Sequence, residues 1–194
     1  MAKQLTPKEF HKLPKSEKAV LVAKDVLKQI SIGRYKPQAG RYIGDLVISD
    51  FSDSNAQINE KFDSIKSCTA CALGSILLSC THLGNKLLFS DIGIIGKRKQ
   101  VGIGNLKNAN VVDLFKDIFS KKQLLLIETA FEGFNGSSYG DDQMSDRFGE
   151  YLGKILSKSE AKACDKFTEK YNNDYDRLVA ICENIIENNG KFKP

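Results

Sequence analysis

Residues 67–83 read Ser-Cys-Thr-Ala-Cys-Ala-Leu-Gly-Ser-Ile-Leu-Leu-Ser-Cys-Thr-His-Leu, with no Asp, Glu, Lys or Arg among them. A run this long exceeds an ordinary strand. It predicts a helix of about four to five turns, roughly 25 Å long at about 1.5 Å per residue. It is short for a membrane span, and Ser, Thr and His are scattered through it. The expected element is a central helix over about 67–83, buried on most sides by other helices. Ala70, Ala72, Gly74 and Ser75 are small enough to let neighbouring backbones come close.

The flanking pattern predicts the rest of a mainly α globule. Thr6-Pro7-Lys8-Glu9 is a capping-box start for a short helix that stops before Pro14. A second helix runs from Ser16 to about Ile32, with Gly33 as its stop. It places Ala19, Val22, Ala23, Val26, Leu27 and Ile30 inward, and Lys18, Asp25, Lys28 and Gln29 toward water. One or two short strands are expected within Arg41–Ser49, as an edge ribbon. Ser54 caps a helix carrying Ile58, Phe62 and Ile65. The Gly-rich stretch from Lys86 to Asn110 reads as a hairpin or projecting loop, with its β component over Leu87–Ile103. Asn110 caps a helix with Val111, Val112, Leu114, Phe115, Ile118 and Phe119. Ser120-Lys-Lys-Gln123 opens another that ends at Gly133, and Ser157-Lys-Ser-Glu160 opens the next, with Ala161, Cys164, Phe167 and Tyr171 in one stripe. Asn173 or Asp174 starts the last, and Gly190 stops it. The sum is one domain over 1–194, about seven helices around the central one, with a small β hairpin or ribbon.

Composition narrows the function classes. The apolar fraction of 41% and charged fraction of 27% are ordinary for a globular chain. A net charge of +5 permits weak polyanion binding and argues against a DNA mimic, which would be strongly acidic. No leader-like apolar segment follows Met1, so the expected compartment is the cytoplasm, with no membrane partner. Cys68, Cys71, Cys80, Cys164 and Cys182 are odd in number, and three lie in the central run. That suits reduced, buried thiols better than a disulfide framework.

Four constellations invite chemistry. Cys68-x-x-Cys71 with Cys80-x-His82 offers four zinc-ligand types, but one continuous helix cannot bring all four to a tetrahedral site, so no metal is expected. Gly93-Ile-Ile-Gly96-Lys97-Arg98-Lys99 lacks the spacing and the Ser or Thr of a phosphate loop, and no cofactor motif is found. Lys97, Arg98 and Lys99 remain a basic group, within the loop 92–105, that can touch nucleic-acid phosphates. The Gly-rich stretch 133–153 holds Asp141, Asp142, Asp146 and Glu150 without EF-hand spacing. Phe134, Tyr139, Asp141, Asp142 and Arg147 there form the expected partner-binding surface, since long irregular loops carry function more often than their scaffold does. A metal-dependent enzyme using that acidic loop is the weaker alternative.

Glu17–Leu27 (EKAVLVAKDVL), Cys68–Gly74 (CTACALG), Gln123–Gly133 (QLLLIETAFEG) and Asp176–Phe192 (DRLVAICENIIENNGKF) together resemble a family of uncharacterised proteins often carried by bacteriophages and other mobile elements. The resemblance covers most of the chain, in order. The family has no assigned activity, so no functional residue carries over. It implies an accessory protein in a bacterial cytoplasm, and such proteins commonly bind host components. The expectation is therefore a non-catalytic protein that binds a host protein, such as a defence or regulatory factor. Nucleic-acid binding through Lys97, Arg98 and Lys99 is the alternative. Oligomeric state is not readable from this pattern.

Overall fold

The computed structural model describes residues 5–40, 42–49, 61–84, 115–133 and 154–194. Six helices and three strands are present among them: α1 Pro7–Lys12, α2 Lys15–Ser31, β1 Tyr35–Pro37, β2 Ile43–Ile48, β3 Ile65–Ala70, α3 Ala72–Gly84, α4 Lys121–Glu132, α5 Lys158–Lys170 and α6 Asp174–Glu187. The architecture is mainly α with a small β component, as the pattern predicts. No described helix is long and apolar enough to cross a membrane.

The central run divides into two elements. Its first residues belong to β3, and only from Ala72 does it become helix. From Ser67 to Ala70 polar and apolar side chains alternate, the period of a half-buried strand, with Cys68 and Ala70 buried; Ile65 is buried as well, three residues before Cys68, where the register with β2 shifts. β3 is the middle strand of the sheet, order β1-β3-β2. It runs parallel to β1, with Tyr35 opposite Cys68, and antiparallel to β2, with Ile43 opposite Ala70. The β2 register is irregular between Gly44 and Val47, where Asp45 takes φ 45°. The strand expected within Arg41–Ser49 is thus present, and it lies on an edge.

From Ala72 to Thr81 every residue of α3 is buried. This helix packs against α1, α2, α4 and the strands β1 and β3. Gly74 is where the backbones come closest: an added Cβ would fall 1.6 Å from the Tyr42 carbonyl oxygen. One contiguous core draws on every described helix and strand.

The termini of the surrounding helices follow the cap residues. Thr6 with Glu9, and Ser157 with Glu160, each form a reciprocal capping box. Gly33 takes φ 74° just beyond α2. Ser120 caps α4 through the Gln123 amide, but the other half of the box is replaced. The Gln123 side chain instead accepts from the Phe192 amide and donates 3.1 Å to the Phe192 carbonyl, pinning the segment after α6 onto α4. Asn173 caps α6. Gly190, at φ 86°, follows that helix where an added Cβ would meet the Ser16 carbonyl oxygen at 2.4 Å.

Besides the division of the expected helix over 67–83 into β3 and α3, two further expectations are corrected. Phe62 and Ile65 are not on a helix capped by Ser54: Phe62–Ser64 is a single 3₁₀ turn, and Ile65 begins β3. On α2, Lys18, Asp25 and Gln29 do not face water but are buried, Gln29 to 1% exposure. Ser54 and Ile58, the hairpin over 87–103, the Asn110 cap and the loop after Gly133 lie outside the described residues.

Candidate functional site

Two polar nests, each built around a carboxylate, lie beside α3. The first belongs to α2. Val22 and Val26 are buried and Asp25 and Gln29 turn inward with them, because on a helix Gln29 lies roughly 20° from Val22 at about 100° per residue. His82, in the last turn of α3, donates from Nδ1 to both Asp25 oxygens, at 3.2 and 3.1 Å. Gln29 donates 2.9 Å to Asp25 Oδ1 and accepts from Arg34 at 2.9 Å. The Arg34 guanidinium also pairs with Asp63 at 3.2 Å. Phe62 holds the assembly flat. Its ring stacks on His82, with centroids 3.8 Å apart and planes 8° apart, and the guanidinium carbon lies 4.9 Å from the same ring centre. Behind it, the Tyr35 and Ser79 hydroxyls share a 3.3 Å hydrogen bond. Burial pushes the Asp25 pKa up, but the hydrogen bond and charge of His82, with the hydrogen bonds of Gln29 and Ser79, outweigh it and hold the carboxyl below its usual range.

The second nest joins the last turn of α4 to the turn after β1. Glu132 Oε2 accepts from the Gly40 amide at 2.7 Å, and Asp174 Oδ2 accepts from the Ala39 amide at 2.8 Å. Arg177 donates to the Phe131 carbonyl and approaches Asp174 at 3.4 Å. Burial raises the Glu132 pKa to about 7. The Gly40 amide opposes that rise, the neighbouring Asp174 charge reinforces it, and a contact from the Cys71 thiol opposes it again.

A carboxylate-oriented imidazole is what a general base requires. Here the ring hydrogen bonds of His82 among the described residues are those to Asp25, and no nucleophile joins them. The thiols do not supply one. All five cysteines are free and buried, as expected. Burial pushes each thiol pKa up, to about 12 for Cys68 and Cys164 and well above the ordinary value for Cys71. His11, the other histidine, donates from Nε2 to the Gly84 carbonyl at 2.7 Å and ties α1 to the end of α3. Cys68 on β3 and Cys80 on α3 show that the run is not one helix. Even so, no group of three or more His, Cys, Asp or Glu side chains among the described residues could hold a metal ion.

The expected contact residues Phe134, Tyr139, Asp141, Asp142 and Arg147, and the basic group Lys97, Arg98 and Lys99, lie outside the described residues. The residues that the sequence reading passed over are Asp25, Gln29 and Glu132. For Asp25 and Gln29 the signal was their placement beside Val22 and Val26 on the helical wheel. Glu132 carried none, since its partners come from the turn after β1 and from α6. No family model, no curated protein and no solved structure matches this chain.

Proposed function

We propose that this chain is a binding protein rather than a catalyst: an accessory protein of a phage or mobile element that engages a host protein, such as a defence or regulatory factor. One observation supports the reading. The groups best suited to chemistry in the described body are committed to its frame: the thiols are buried and held protonated, and both histidines are engaged in tertiary hydrogen bonds. The contact surfaces in this reading are the segments 133–153, through Phe134, Tyr139, Asp141, Asp142 and Arg147, and 92–105.

The test is affinity capture from bacterial lysate, with and without nuclease, read by mass spectrometry. One host protein retained after nuclease, and lost when those five residues are replaced by alanine, is the expected result. If alanine across both segments leaves every captured partner in place, the reading fails. Capture that disappears with nuclease would instead favour nucleic acid. In that case neutralising Lys97, Arg98 and Lys99 should flatten the salt dependence by about two to three units, at about 0.9 per phosphate contact.

A further inference from the structure

Both α5 and α6 pack on α4. Between them the surface opens into a groove of about 500 Å³ whose lining includes Phe167, Tyr171 and Ala180. Ala180 is buried, and the two aromatic residues are half-buried. The walls carry opposite charge. Lys166 and Lys170 stand on the α5 side, Glu183 and Glu187 on the α6 side, and all four are exposed. Each pair is four residues apart, so both walls repeat at one helical turn, about 6 Å. The Lys170 ammonium lies 5.3 Å from the centre of the Tyr171 ring, and none of the four charges has an ion-pair partner among the described residues.

Facing a second copy related by a two-fold axis that runs along the groove, each cationic wall meets an anionic one, which satisfies the charge condition for an isologous contact. We propose that this groove is a homodimer interface, in which Lys166 and Lys170 of one copy face Glu183 and Glu187 of the other. A uniformly acidic or basic partner would meet one repelling wall, whereas a second copy meets none. In such an interface the half-buried Phe167 and Tyr171 supply the affinity, and the charged rim fixes the register and makes association sensitive to salt.

Sedimentation equilibrium of the full chain at low salt tests this. The expected mass at micromolar concentration is twice 21.6 kDa. The double variants K166E/K170E and E183K/E187K should each sediment as monomers with unchanged circular dichroism, because the substituted side chains are exposed. An equimolar mixture of the two variants should return to the dimer mass, since each then presents walls of the sign the other needs. A wild-type chain that stays monomeric throughout, a dimer indifferent to both reversals, or variants that remain monomeric when mixed would each overturn the proposal.

Discussion

Asp25 and Glu132 are both carboxylates withdrawn from water on helices that pack against α3, yet their pKa values move in opposite directions. Asp25 accepts from His82 through both oxygens and from Gln29 as well. Glu132 accepts one backbone amide, and the charge of Asp174 faces it. Burial raises the pKa in both places, so what separates them is the number and sign of their partners. The Asp25 nest is held by charge, whereas the Glu132 clamp is favoured while its carboxyl keeps a proton.

The largest effect should come from a buried carboxylate with no partner of either kind. Leu77 is fully buried in the middle of α3. Leu77→Asp should cost more than about 4 kcal/mol and leave little soluble folded chain, measured by yield and urea unfolding. A variant that unfolds at the wild-type urea concentration would show that α3 is not the core element described here.

Next is Asp25→Asn, which strips the charge from the first nest while keeping its shape. Removing one partner of a buried pair costs about 3 kcal/mol. The pH dependence identifies the cause. The folded pKa of Asp25 lies below its ordinary value, so its contribution is present above that value and is lost as pH falls through it toward the folded pKa. Wild type should therefore lose stability between about pH 5 and pH 3 more steeply than Asp25→Asn does. Parallel curves would mean that His82 is not what holds the carboxylate charged.

These two cases also mark how far the sequence could be read. Helix termini were legible because a cap acts within a few residues: Thr6, Ser157, Asn173 and Gly33 all sit where their chemistry requires. The burial of α3 was legible from its lack of charge. The change from strand to helix at Cys71 was hidden because apolar content alone does not distinguish the two periods. The alternation that marks a strand covers only Ser67 to Ala70, too short to stand out within the run. Asp25 and Gln29 look like solvated residues because the groups that stabilise them, His82 and Arg34, arrive from other elements. The expected contact residues from Phe134 to Arg147 fall outside the described residues, so the candidate site rests on Asp25 and Gln29, marked only by their place on the helical wheel, and on Glu132, which no local pattern singles out.

Glu132→Gln should reverse the sign seen at Asp25. The folded pKa of about 7 lies above the ordinary 4.5, so the wild-type contribution is complete below about 4.5 and is lost as pH rises toward 7. Gln stays neutral and still offers an oxygen to the Gly40 amide. The variant should match wild type near pH 5 and exceed it by about 1–2 kcal/mol near pH 8, read as a melting temperature that no longer falls across that range. If wild type instead gains stability from pH 5 to 8, Glu132 is ionised in the fold and the contrast with Asp25 disappears.

The smallest effect belongs to a carboxylate with good partners but little burial. Lys122 donates to Glu160 at 2.8 Å, and the Ser157 amide donates at 2.9 Å. These two contacts push its pKa down to about 2. The shift has the same direction as that of Asp25, but water screens the Lys122 pair, so it contributes far less to stability. Glu160→Gln keeps the capping box and loses only the charge pair, which should cost about 0.5 kcal/mol at low salt and almost nothing in molar salt. The missing part should appear as pH falls from the ordinary 4.5 toward 2, where wild type approaches the variant. Thermal melts of the two proteins at low and high salt measure this directly. A loss as large as that of Asp25→Asn, unchanged by salt, would mean that partners alone set the stability contributed by a carboxylate. A small, salt-sensitive loss would mean that partners fix the charge state while burial sets how much stability that state contributes.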